Sequence, residues 1–133
     1  MTLNQMFRHP EIYLVGMSVA PVSDQHFYDM IYQERYMGLP QDNEADYLGG
    51  SPITYAGGLR GKLLIVHGSG DDNVHYKSTE ALVNKLIAAK KQFTMMEYPN
   101  RRHDISQGEG TIRHLYGLLT RFLEENMPAT ATP

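Results

Sequence analysis

Leu63–Tyr76, LLIVHGSGDDNVHY, is the stretch whose reading decides the fold. Lys62 to His67 carries an unbroken apolar run with branched side chains, the pattern of a strand buried on both faces rather than one. It stops at His67-Gly68, and a polar loop presents Asp71, Asp72 and Asn73 ahead of a helical pattern. In that helix Leu82, Val83, Leu86, Ile87 and Ala89 share an apolar face, with Ser78 or Thr79 as the expected cap. A buried strand followed directly by an amphipathic helix is the repeating unit of a parallel α/β sheet, and such sheets collect reactive groups at the carboxyl ends of their strands. A carboxylate pair at this position is therefore a functional candidate.

A second strand with the same ending lies downstream. Phe93–Tyr98 is closed by Pro99-Asn100-Arg101-Arg102-His103, which puts an imidazole at another carboxyl-terminal strand edge. The helix that follows, about Thr111 to Glu125, is expected to bury Ile112, Leu115, Leu118, Leu119, Phe122 and Leu123. Upstream, Thr2–His9 reads as a short helix ended by Pro10, and Ile12–Ala20 (IYLVGMSVA) as a buried strand. Phe27–Met37 reads as a helix with Phe27, Tyr28, Tyr32 and Tyr36 on one broad face, stopped by Gly38-Leu39-Pro40. Gln41–Gly61 reads as an excursion too polar for core apart from Ser51-Pro52-Ile53. The order predicts three parallel strands with crossover helices in one folded unit over residues 1–127. Residues 128–133 are expected to be a mobile tail of small residues.

Composition narrows the function. The chain has 133 residues, 41% hydrophobic and 20% charged, with net charge -3 and no cysteine. The acidic balance and scattered basic residues disfavour nucleic acid, and the lack of cysteine excludes disulfides and thiolate chemistry. No stretch has the length and apolarity of a membrane span, and Met1–Pro10 lacks the apolar centre of a signal peptide, so localisation stays open.

One carboxylate of the Asp71-Asp72 pair and one histidine, His103, each just past a strand, would supply two of the three parts of a Ser-His-Asp triad: an acid to orient the imidazole and a base to move the proton. On loop chemistry alone, Asp71 and Asp72 could equally make a turn and cap a helix. His67 and His75 read as structural residues. A His67, Asp71, His75 metal site would draw three ligands from one loop, and neither a metal nor a cofactor is expected.

GKLLIVHGSGDDNVHY (61–76), YPNRRH (98–103) and APVSDQHFYDMIYQERYMGLP (20–40) together resemble the carboxyl-terminal catalytic region of the prolyl oligopeptidase family of serine peptidases, with the dipeptidyl peptidase IV branch as the nearest match. The resemblance covers roughly residues 1–127. It implies a partial α/β-hydrolase fold, with Asp71 as triad acid and His103 as general base. It implies Asn73 as the donor to the substrate's peptide carbonyl, and Val22, Tyr28, Tyr32 and Val74 as the wall of the pocket for a proline side chain. Two departures stand out: Gln25 where an aromatic residue commonly lines that pocket, and Asp104 where glycine or serine commonly follows the histidine.

The family's nucleophile elbow, G-x-S-x-G-G, precedes the segment that resembles Met1–Asn4, so the amino-terminal strands and the elbow are expected to be missing. Ser18, in Gly16-Met17-Ser18-Val19-Ala20, lacks a helix directly after it, and Ser69 lacks the glycine two positions earlier. The resemblance implies part of an exopeptidase that releases dipeptides with proline or alanine second. The alternatives are a shortened hydrolase with weak esterase activity and a non-catalytic self-associating chain. Two structural expectations follow. Asp71 and His103 should lie within hydrogen-bond reach beside a concavity lined by Tyr28, Tyr32 and Val74. The first strand and helix should pair with a second copy in a homodimer or larger assembly.

Overall fold

The computed structural model describes residues 1–127. Helix α1 (Thr2–Arg8) leads to strand β1 (Val15–Val19), and α2 (Met30–Met37) and α3 (Glu44–Gly50) follow. Then come β2 (Lys62–Gly68), α4 (Lys77–Ala88), β3 (Thr94–Tyr98) and α5 (Thr111–Asn126). Short 3-10 segments, Gln25–Phe27 and Pro52–Gly58, lie in the connection between β1 and β2. Among the described residues the sheet has three strands in the order β1-β2-β3, all parallel, with Val15 opposite Lys62 and Gly68 opposite Tyr98.

The central strand explains why its sequence does not alternate. Leu63 and Ile65 pack with Leu3, Met6 and Phe7 of α1, Leu82 and Leu86 of α4, and Ala56 and Leu59. Leu64 and Val66 pack on the opposite face with Leu115 and Phe122 of α5, Tyr98 and Ile105. Both faces of β2 are covered, so an apolar side chain is favoured at each position. His67 follows the parity of Leu63 and Ile65, and is buried beside α4.

The expected Ile12–Ala20 strand is shortened. The N–H groups of Ile12 and Tyr13 both turn back to the carbonyl of His9, leaving Ile12 and Leu14 65% and 57% exposed. The ladder begins only where β2 begins, at Lys62 opposite Val15, so residues before Val15 have no strand to pair with. The expected Phe27–Met37 helix also starts later, at Met30, where the Asp29 carboxylate accepts the N–H of Tyr32 as an N-cap. Its aromatic face does not enter the core. Tyr32 and Tyr36 are 55% and 66% exposed and pack on each other, while the buried residue of α2 is Gln33, whose amide hydrogen-bonds Gln25.

The excursion Gln41–Gly61 contributes more core than its polarity suggests. It forms α3 and a 3-10 segment, and buries Tyr47, Ala56 and Leu59. Neither Ser78 nor Thr79 caps α4, which begins at Lys77 without a side-chain cap; both hydroxyls are buried and bond to other elements. On α4 and α5, Ile87 and Ile112 face solvent although the apolar stripe was expected to include them. The expected tail 128–133 lies outside the described residues. No helix among the described residues is long and apolar enough to cross a membrane.

Candidate active site

The loops that leave β2 and β3 are laced together at the carboxyl edge of the sheet. Ser69 N–H donates to the Tyr98 carbonyl at 3.0 Å, Gly70 N–H to the Arg101 carbonyl at 3.1 Å, and Asn100 N–H to Ser69 Oγ at 2.9 Å. Gly68 makes this approach possible. A Cβ there would stand 2.2 Å from the Arg101 carbonyl oxygen, far inside contact distance. The loop bearing His103 is anchored by Ile105, which is fully buried against Leu64, Val66 and Leu115 yet has φ +48. A β-branched residue in the left-handed region costs on the order of 1–3 kcal/mol, which burial of its side chain offsets.

Asp71 stands where these loops meet, and all of its acceptor capacity faces protein. Its Oδ1 accepts the N–H groups of Asn73 and Val74, both at 2.9 Å. Its Oδ2 accepts from His103 Nδ1 at 2.8 Å and from His67 Nε2 at 3.0 Å. The carboxylate is fully shut off from water, whereas the His103 side chain is 42% exposed. Burial pushes the Asp71 carboxyl up, but the His103 hydrogen bond, the two backbone N–H groups and the charge of His103 together hold it below the usual range. Asp71 is thus an ionised acid in a dry position beside an imidazole that solvent reaches.

The remaining expected residues divide. Val74 is buried and Asn73 exposed, and both serve Asp71 through their backbone N–H groups. Val22 and Gln25 line a hollow against the start of α1 that also takes in Ser18. Tyr28 lines a separate, smaller one with Gln33 and Tyr47, and Tyr32 packs edge-on against Tyr28 at 5.7 Å while facing solvent. These hollows therefore differ from the single concavity expected for Tyr28, Tyr32 and Val74. Asp72 is exposed and lies 3.9 Å from Arg102, a surface pair of little energetic weight. Asp104 turns to Ser106 and Gln107, whose hydrogen bonds lower its carboxyl from the usual range. No three histidine or acidic side chains among the described residues converge as a metal site requires.

Sequence reasoning missed three participants. His67 was read as structural, yet it touches the carboxylate that His103 touches. Ser78 or Thr79 is the cap that the pattern suggests, yet Thr79 bonds His67, and Ser78 bonds the buried Ser23. The usable signal was a histidine at the end of a fully buried strand, four residues before the acid, since a buried imidazole must find partners.

The chain is 41% identical over 114 residues to venom dipeptidyl peptidase 4 of Vespa velutina, covering 84% of this chain and 14% of that protein. It is 37% identical over 117 residues to prolyl endopeptidase FAP of Mus musculus, covering 86% and 15%. The crystal structure of Porphyromonas gingivalis dipeptidyl peptidase 4 superposes with a TM-score of 0.91 at 40% identity, covering 95% of this chain and 18% of that one. The chain thus spans under a fifth of the length of each, and its three-stranded parallel sheet with helices matches part of an α/β-hydrolase domain. A profile of the prolyl oligopeptidase family matches residues 1–130, and with these dipeptidyl peptidase relatives it shows that the chain belongs to the prolyl oligopeptidase family of serine peptidases.

Proposed function

We propose that this chain is the acid-and-base portion of a dipeptidyl peptidase-like serine exopeptidase, with Asp71 as triad acid, His103 as general base, and the nucleophilic serine carried by sequence outside residues 1–133. The observation that carries this reading is the 2.8 Å bond between His103 Nδ1 and the buried Asp71 carboxylate, at the carboxyl edge of the sheet. An ionised carboxylate only accepts, so the proton of neutral His103 sits on Nδ1 and leaves Nε2 basic. Nε2 takes the hydroxyl proton as serine attacks the scissile carbonyl, Asp71 stabilises the imidazolium, and the same proton then passes to the leaving amine. Water resolves the acyl-enzyme by the reverse sequence. The family resemblance supports a peptide substrate with proline or alanine second from its amino terminus, and assigns its carbonyl to Asn73 and its side chain to Val22, Tyr28, Tyr32 and Val74, which within this chain do not share one hollow. Gln25 makes that wall more polar than an aromatic residue would, and so weakens the preference for proline.

Purified residues 1–133 should then show negligible hydrolysis of Gly-Pro or Ala-Pro amides and no labelling by a fluorophosphonate. Stoichiometric labelling of Ser18 or Ser69 would place the nucleophile inside the chain and replace this reading with that of a small esterase.

A second proposal concerns assembly. Strand β1 is an edge of the described sheet with Val19 exposed on it, and Ile12 and Leu14 are exposed in the turn that leads into it, so apolar side chains flank the strand's unpaired side. We infer that this edge pairs with a second copy in a homodimer or larger assembly. A stable monomer by light scattering at micromolar concentration would reject it.

A further inference from the structure

Among the described residues His67 is the histidine most completely removed from water. Its Nε2 lies 3.0 Å from Asp71 Oδ2 and 2.9 Å from the Val74 carbonyl oxygen. Both partners only accept while Asp71 is ionised, so the ring proton is on Nε2. In the singly protonated ring Nδ1 offers a lone pair, and it is the acceptor that the Thr79 hydroxyl reaches among the described residues, at 2.6 Å. The Tyr76 ring closes over the imidazole edge-on at 5.5 Å, and the Tyr76 hydroxyl is turned away to Glu97. Every polar atom of His67 is therefore assigned, in one tautomer.

Oδ2 of Asp71 is the oxygen that also receives His103. Two imidazoles thus share one carboxylate oxygen, an inner one enclosed in the fold and an outer one open to solvent. A desolvated carboxylate is held ionised by occupied lone pairs, and a half-exposed side chain alone is a loose partner for Oδ2. We propose that His67 is a positioning residue for the Asp71–His103 pair: neutral, and oriented by Thr79, it bonds the second lone pair of Oδ2 and fixes the atom on which His103 is aligned. This rests on the assignment of Asp71 and His103 as acid and base.

A histidine that merely satisfies the core would alter stability alone, whereas a positioning one alters the state of His103. The test is NMR of residues 1–133 with labelled histidine and aspartate side chains. Asn reaches only as far as Nδ1 of His67, so His67→Asn keeps a partner for Thr79 and loses Asp71; Gln reaches as far as Nε2, so His67→Gln restores the donor. In His67→Asn the hydrogen-bonded His103 Nδ1–H signal is expected to move upfield and exchange with water about tenfold faster, the loss of one charge-assisted hydrogen bond. The Asp71 carboxyl should titrate at higher pH in that variant, and His67→Gln should recover both readouts. A His67→Asn protein with a native amide spectrum, an unmoved His103 signal and exchange changed less than about twofold overturns the proposal. If that variant does not fold, Thr79→Val, which removes the hydroxyl that orients the ring, is read by the same two signals and the same criterion. Asp71→Asn separates the two levels of inference. If it leaves the His103 signal unchanged, the acid–base pair itself is wrong; if it abolishes that signal while His67→Asn does nothing, only the role of His67 falls.

Discussion

The loop after β2 and the connection after β1 both leave the sheet at its carboxyl edge, but they are held by different means. From Gly68 to Val74 the chain is held from within, and Asp71 has both carboxylate oxygens doubly occupied, by two backbone N–H groups, the buried His67 and the half-exposed His103. From Ala20 to Gly50 the polar groups again secure the chain, through Ser23 with Ser78 and through His26 between Asp24 and Glu44. There, however, the aromatic side chains of α2 face solvent and pack mainly on one another. The groups proposed to move protons are hydrogen-bonded to each other within the chain, whereas the aromatic residues proposed to contact substrate, Tyr28 and Tyr32, sit on a connection where they pack mainly on one another. Chemistry and recognition should therefore respond differently to perturbation.

The largest expected effect falls on the first region. In a polypeptide carrying both the serine and these residues, Asp71→Asn should lower kcat by about 10⁴-fold, since His103 loses the partner that sets its tautomer. A fall of less than about tenfold would break the triad assignment. Next, Gly68→Ala places a methyl group against the Arg101 carbonyl and should cost ~3 kcal/mol in urea unfolding, with loss of the His103–Asp71 contact by NMR. An unchanged midpoint would mean that the two loops are not packed as closely as described. Ser23→Ala, in the second region, removes the hydroxyl that bonds the Ser78 carbonyl inside the fold and should cost about 1–2 kcal/mol.

The pH dependence sharpens the contrast because its sign reverses between the regions. The Asp71 carboxyl lies below its usual 3.8 when folded, so its contribution is complete above that value and is lost as pH falls through the lowered one. His26 is raised above its usual 6.5 by the Asp24 hydrogen bond, against desolvation and with help from Glu44. Its contribution is therefore complete below 6.5 and is lost as pH rises through the folded value. Unfolding midpoints measured across the pH range should show both slopes, with His26→Gln removing only the alkaline one. The smallest effect is expected of Tyr32→Ala, which should change stability by no more than about 0.5 kcal/mol because the ring is over half exposed. A larger loss would show that the aromatic row of α2 is buried after all, in an assembly.

Much of the sheet was legible in the sequence, for a definite reason. Where a strand is covered on both faces, as β2 is, every position is apolar and the pattern survives any choice of partner. Periodicity was less informative where it showed an apolar side without showing what covers it. Tyr32 and Tyr36 have helical spacing, and Ile12 and Leu14 belong to a continuous apolar run, yet nothing packs over them to the depth that pattern suggests. The same gap hid Tyr47 and Ala56, which lie in a glycine-rich, polar stretch and are buried by segments distant in sequence.

The sequence by itself determined three parallel strands with crossover helices between them, and the placing of one acid and one histidine each just past a strand. Each follows from local periodicity, chain connectivity and a motif read in order. Only the tertiary structure decided that His67 shares the Asp71 carboxylate with His103, that Ser78 and Thr79 serve as partners inside the fold rather than as caps, and that Gly68 is needed for the two loops to meet. Hydrogen-bond partners and close approaches depend on which segments the sheet register brings side by side, and Gly68 lies opposite Tyr98, thirty residues away in the chain.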